Sequence, residues 1–77
     1  RRKELVREIN NMSEEHKVAV RNIRRDANDM LKDLKKEGDI SEDEAFKAQD
    51  QVQKITDDFI NLVEQVTKEK EKEILEF

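Results

Sequence analysis

Lys35-Lys36-Glu37-Gly38-Asp39-Ile40-Ser41-Glu42-Asp43-Glu44 is the stretch from which the fold follows. Gly38 is the single glycine of the chain. It follows two lysines, the pattern of a helix that ends with cations in its last turn and a left-handed cap. Three residues later a second helix is announced. Ser41 and Glu44 stand at the spacing of a capping box, and Glu42 and Asp43 add negative charge to the first turn. Ile40 and Ala45 flank the cap at the positions of a weak hydrophobic staple. A connection this short makes its two helices antiparallel neighbours.

Working outward, the apolar residues on both sides recur at helical spacing. Upstream, Leu5, Ile9, Met12, Ala19, Ile23, Met30 and Leu34 form one stripe, with His16 on it and Val20, Ala27 and Leu31 widening it. Downstream, Ala45, Ala48, Val52, Ile55, Phe59, Leu62 and Val66 form another, flanked by Phe46 and Val63 and thinning to Ile74, Leu75 and Phe77. The expected fold is all-α, an antiparallel helical hairpin. Residues 1–77 read as a single helical domain fragment, with a helix over about 3–36, a turn over about 37–41 and a helix over about 42–76. Each helix spans about 50 Å at roughly 1.5 Å per residue. The stripes are wider than a two-helix seam needs, so a third helix or a second hairpin is expected to cover them. Met12 and Met30 read as core filling, and His16 as a packed or polar-satisfied core histidine.

Composition closes off other classes. There is no proline, cysteine or tryptophan, and 36 of 77 residues are charged. A strand-and-turn fold has no punctuation here. Nothing approaches the run of roughly 18 apolar residues that spans a membrane, and no apolar segment of a signal peptide follows the basic start. The absence of cysteine removes thiolate metal sites and fits a reducing, cytoplasmic setting.

Charge is distributed unevenly. Residues 1–36 carry 11 Lys+Arg against 7 Asp+Glu, and residues 37–77 carry 5 against 13. Around the first helix, about 100° per residue places Lys3, Arg7, Lys17, Arg21, Arg24, Arg25, Lys32 and Lys35 in one sector. Asn28 lies in its middle and Glu14 is its only acid. A solvated helix gains from opposite charges at i,i+4, which this grouping forgoes. A polyanion, phosphate above all, is the natural reason. The alternative is that the basic sector pairs with the acidic second helix, in a bundle or dimer. Three arginines within five residues favour nucleic acid, because the guanidinium suits bidentate phosphate and base-edge contacts. No basic patch interleaved with aromatics is expected, which argues against a stacking platform for single strands. A basic-region DNA reader is set aside, since Gly38 ends the helix before a zipper can follow.

Enzymatic constellations fail on inventory. One His, no Cys and only Ser13 and Ser41 supply no nucleophile–base–orienter set. No catalytic residue, metal ligand set or cofactor motif is expected; the acids near Asp39 lack the spacing of a calcium loop.

The run Val18-Ala19-Val20-Arg21-Asn22-Ile23-Arg24-Arg25-Asp26-Ala27-Asn28-Asp29 resembles the signature of the ribosome recycling factor family. So do Gly38-Asp39-Ile40-Ser41-Glu42-Asp43 and Asp50-Gln51-Val52-Gln53-Lys54-Ile55-Thr56-Asp57, as well as Arg1-Arg2-Lys3-Glu4-Leu5 and Lys72-Glu73-Ile74-Leu75-Glu76-Phe77. The resemblance implies the second and third helices of a three-helix bundle. The family's first helix and its hinged β-rich domain have no counterpart in these residues. It further implies binding to ribosomal RNA of the large subunit and, with elongation factor G and GTP hydrolysis, release of ribosomes from mRNA after termination. The expected RNA-binding residues are Arg24 foremost, with Arg21, Arg25, Lys17 and Asn28; Asn22 and Asp26 are expected to brace the helix or cap neighbouring groups. The expected protein partners are elongation factor G and either the absent bundle helix or a second copy of the chain. These 77 residues alone are not expected to suffice for recycling. A self-associating helical hairpin of purely structural role is the competing reading.

Overall fold

The computed structural model describes residues 1–76 and contains two helices, α1 (Arg2–Lys36) and α2 (Glu42–Leu75). They lie side by side in a hairpin measuring 57 × 15 × 9 Å. The expectation for Phe77 lies outside the described residues.

The turn is built as its residues dictate. Gly38 adopts φ +81°, the left-handed conformation that a side chain penalises. Its N–H donates to the Lys35 carbonyl at 3.1 Å, and the Asp39 N–H donates to the Leu34 carbonyl at 2.9 Å. These two bonds are the Schellman closure of α1. At the start of α2 the Glu44 N–H donates to Ser41 Oγ and the Ser41 N–H donates to Glu44 Oε1, both at 3.1 Å, so the capping box is complete.

The helices meet along a seam that differs from the expected stripe. On α1 the half-buried positions include Val6, Ile9, Lys17, Val20, Arg24, Ala27 and Leu31, with Ser13 buried. On α2 they include Ala45, Ala48, Val52, Ile60, Val63, Thr67 and Ile74, with Thr56 buried. Small and hydroxylated residues let the helices close on one another. The Thr56 and Thr67 hydroxyls donate to the Val52 and Val63 carbonyls four residues back, each at 2.7 Å, so neither enters the seam unsatisfied.

Much of the expected core therefore faces outward. Met12, Ile23 and Met30 are 55%, 67% and 65% exposed, and His16 is exposed beside them. Leu5, Leu34, Ile55, Phe59, Leu62 and Val66 are also exposed, and no hydrophobic residue among those described is fully buried. The reading of Met12 and Met30 as core filling and of His16 as a packed histidine is thus corrected. The reason is geometric: one neighbouring helix covers only one edge of a stripe this wide, and here it covers the edge holding Ser13, Val20 and Leu31. Ile9, Met12, His16, Leu62, Val63 and Val66 line an open apolar groove along the uncovered edge.

Candidate nucleic-acid interface

The seam separates two unlike flanks, the apolar groove on one side and the basic sector of α1 on the other. The helix puts Arg21, Arg24, Arg25, Asn28 and Lys32 on this second flank because successive residues three and four apart share a face.

Each expected site residue has a distinct setting. Arg24 is half-buried at the seam's edge, while Arg21 and Arg25 are exposed. Arg25 Nη2 donates to Asn22 Oδ1 at 3.0 Å, which steadies its guanidinium along the helix. Asn28 is half-buried, and its Oδ1 is shielded from solvent with no hydrogen-bond donor. Lys17 stands apart from the rest. Its ammonium donates to Glu64 of α2 at 3.1 Å and to Glu14 at 3.5 Å, and its side chain is only 13% exposed. The hydrogen bond to Glu64, reinforced by the charges of both glutamates, raises the Lys17 pKa above its ordinary value. Lys17 is the member of the five already committed inside the hairpin.

The pairing of the basic sector with the acidic helix is accordingly slight. Among the described residues, Lys17–Glu64 is the one ion pair that joins α1 to α2; the others lie within one helix at i,i+3 or i,i+4. In the antiparallel register that this pair sets, Arg24 stands level with Asp57, yet no ion pair joins them. Asp57 instead accepts from Gln53 Nε2 at 2.9 Å. Arg21, Arg24, Arg25, Lys32 and Lys35 have no carboxylate within 4.0 Å among the described residues.

One residue on this flank was placed elsewhere by periodicity. Phe46, counted beside the apolar stripe of α2, shares a groove with Asn28, Lys32 and Lys35. The signal was present in its phase: Phe46 is one step past Ala45, about 100° around the helix from the seam. What a linear reading lacked was the partner helix that brings lysines to it.

No group of acidic, His or Cys side chains able to hold a metal ion occurs among the described residues. None of the described helices is long and apolar enough to cross a membrane.

Comparison with known proteins joins this geometry to a lineage. The family described as "Ribosome recycling factor" matches residues 1–75. The ribosome-recycling factor of Desulfatibacillum aliphaticivorans is 65% identical over 77 residues, covering all of this chain and 42% of the relative. That of Syntrophobacter fumaroxidans is 67% identical and that of Bacillus subtilis 58% identical, each over 76 residues, 99% of this chain and 41% of the relative. The chain thus spans about two fifths of the length of the curated relatives it matches. With both helices, the capped turn and the arginine cluster all inside the matched residues, the chain belongs to the ribosome recycling factor family.

Proposed function

We propose that this chain is the helical arm of a ribosome recycling factor, and that its Arg24 flank binds ribosomal RNA of the large subunit. Acting with elongation factor G in a chain of the family's full length, it releases ribosomes from mRNA after termination, in the cytoplasm. The chain's part is binding and positioning rather than covalent chemistry. The observation that carries this reading is the row of cations on α1, Arg21, Arg24, Arg25, Lys32 and Lys35, with which no carboxylate among the described residues forms an ion pair.

Each role follows from placement. Arg24 sits half-buried at the edge of the seam, and it contacts a phosphate or a base edge. Arg21 and Arg25 contribute backbone contacts, which position the RNA and make binding fall with salt. Lys17 fixes the two helices together under this face through Glu64. Arg24→Ala is expected to weaken binding to purified large ribosomal subunits by about 1–3 kcal/mol and to lower the salt slope. Helicity by circular dichroism should be unchanged. An Arg24→Ala protein that melts instead would make the arginine a structural partner of α2 and sink the RNA reading.

A second reading is favoured by the exposed apolar edge. A face carrying Met12, Ile23, Met30, Phe59 and Leu62 needs cover. In a full-length chain a third helix provides it, and in the isolated 77 residues a second copy does so, forming a four-helix bundle. Both are compatible with RNA binding, because the basic sector lies on the opposite flank of the seam.

A further inference from the structure

The turn-proximal end of the basic flank holds more than charge. Lys32 and Lys35 of α1 and Phe46 of α2 line one open groove of about 590 Å³ with Asn28, and Glu42 and Asp43 line it as well. At 71% exposure, Phe46 is the most exposed of the large hydrophobic residues described. A lone exposed apolar side chain requires no explanation. A ring that shares its groove with two ammonium groups, neither paired with a carboxylate among the described residues, is a different matter.

Resting on the RNA-binding reading, we infer that this groove is a nucleobase subsite: an unpaired base of the bound RNA stacks on Phe46, with its phosphates on Lys32 and Lys35. Aromatic faces accept any base, so stacking supplies affinity without sequence preference. Preference comes from the groove's polar groups. Glu42 and Asp43 present acceptors at the turn end of the groove, so the base that fits places an exocyclic amine there. Adenine, cytosine and guanine do so. Uracil has no exocyclic amine: it sets a carbonyl oxygen against these carboxylates and keeps only its N3–H to donate. The same carboxylates repel phosphate from the turn, which directs the RNA backbone away from α2 and along α1 toward Arg25 and Arg21. The stacking platform that the linear sequence lacks is thus assembled from two helices.

The test grafts these 77 residues in place of the matching segment of the Desulfatibacillum aliphaticivorans relative, so that the apolar edge is in its full-length setting. Binding to purified large ribosomal subunits is compared for the parent, Phe46→Ala, Phe46→Leu, Phe46→Trp and Arg24→Ala. Loss of one stacked base should weaken Phe46→Ala and Phe46→Leu about tenfold. Phe46→Trp should bind like the parent, with its added fluorescence quenched on binding. Probing the ribosomal RNA with dimethyl sulfate and carbodiimide should show one unpaired adenine, cytosine or guanine that the parent protects and Phe46→Ala does not. If Arg24→Ala weakens binding while Phe46→Ala and Phe46→Leu match the parent, the subsite is wrong and the RNA reading stands. If neither position matters, the RNA reading falls and takes the subsite with it. Protection lost at a uridine would overturn the assignment of the base.

Discussion

Arg24, Gly38 and Phe46 show three ways in which a single residue carries information. Arg24 and its neighbours announce themselves by type and phase, since cations grouped on one sector are costly unless something negative binds them. Gly38 is legible for a backbone reason: its φ of +81° suits only a residue without a Cβ. Beyond its two chain neighbours, no atom lies within 4 Å of where a Cβ would stand, so replacement there meets no clash with the rest of the hairpin. Gly38→Ala should therefore cost only the left-handed conformation, about 1–2 kcal/mol, measured as a drop in melting stability with the helix content of the folded state unchanged. A loss well beyond that would mean that the turn does more than reverse the chain. Phe46 was the residue that periodicity misplaced, because its neighbours across the hairpin are 11 and 14 residues away in sequence, at Lys35 and Lys32.

At the scale of the element, the helices owe their ends to local chemistry and their contact to a compromise. The caps, the acidic first turn of α2 and the basic last turn of α1 follow from nearby residues alone, and the structure forms each of them. The seam does not follow in that way. Both helices carry apolar stripes wide enough to offer more than one contacting edge, and the edge chosen contains Ser13 and Thr56, the two buried residues among those described. Lys17 and Glu64 bolt the edge in register. Because the Lys17 pKa is raised, the stabilisation from this pair is fully present below the ordinary value of 10.5 and is lost as pH climbs through the higher folded value. Melting temperatures of the parent and Lys17→Met should accordingly differ at neutral pH and converge in strong alkali. A difference that persists unchanged there would show that Lys17 acts through packing of its stem and not through its charge.

For the whole molecule, the decisive quantity is surface. A compact monomer of 9.2 kDa exposes about 4,900 Å² by the usual scaling of area with mass, whereas this hairpin exposes 6472 Å². The excess is about twice the roughly 800 Å² that each partner contributes to a specific interface of standard size. A chain of this size with no buried hydrophobic residue among those described has little to hold it together alone. In isolation the 77 residues should melt at a temperature that rises with concentration, as folding and association are coupled. Light scattering across a dilution series measures the same linkage as a change of mass. A folded monomer with a melting point unchanged over a hundredfold dilution would show that the narrow polar seam suffices.

Local chemistry in the chain was enough for the helices, their ends, their antiparallel course and the existence of a basic sector, because each depends on residues within a few positions of one another. The family, too, was legible, since its signature runs through contiguous stretches. Three things required the folded hairpin. Which edge of each stripe meets its neighbour depends on how two surfaces interlock. Which cations remain free depends on whether opposing carboxylates reach them, and among the five expected contacts only Lys17 is held across the seam. The groove that joins Phe46 to the lysines depends on a helix returning beside its predecessor. Periodicity records the faces of one helix, and what those faces meet is decided by packing between two.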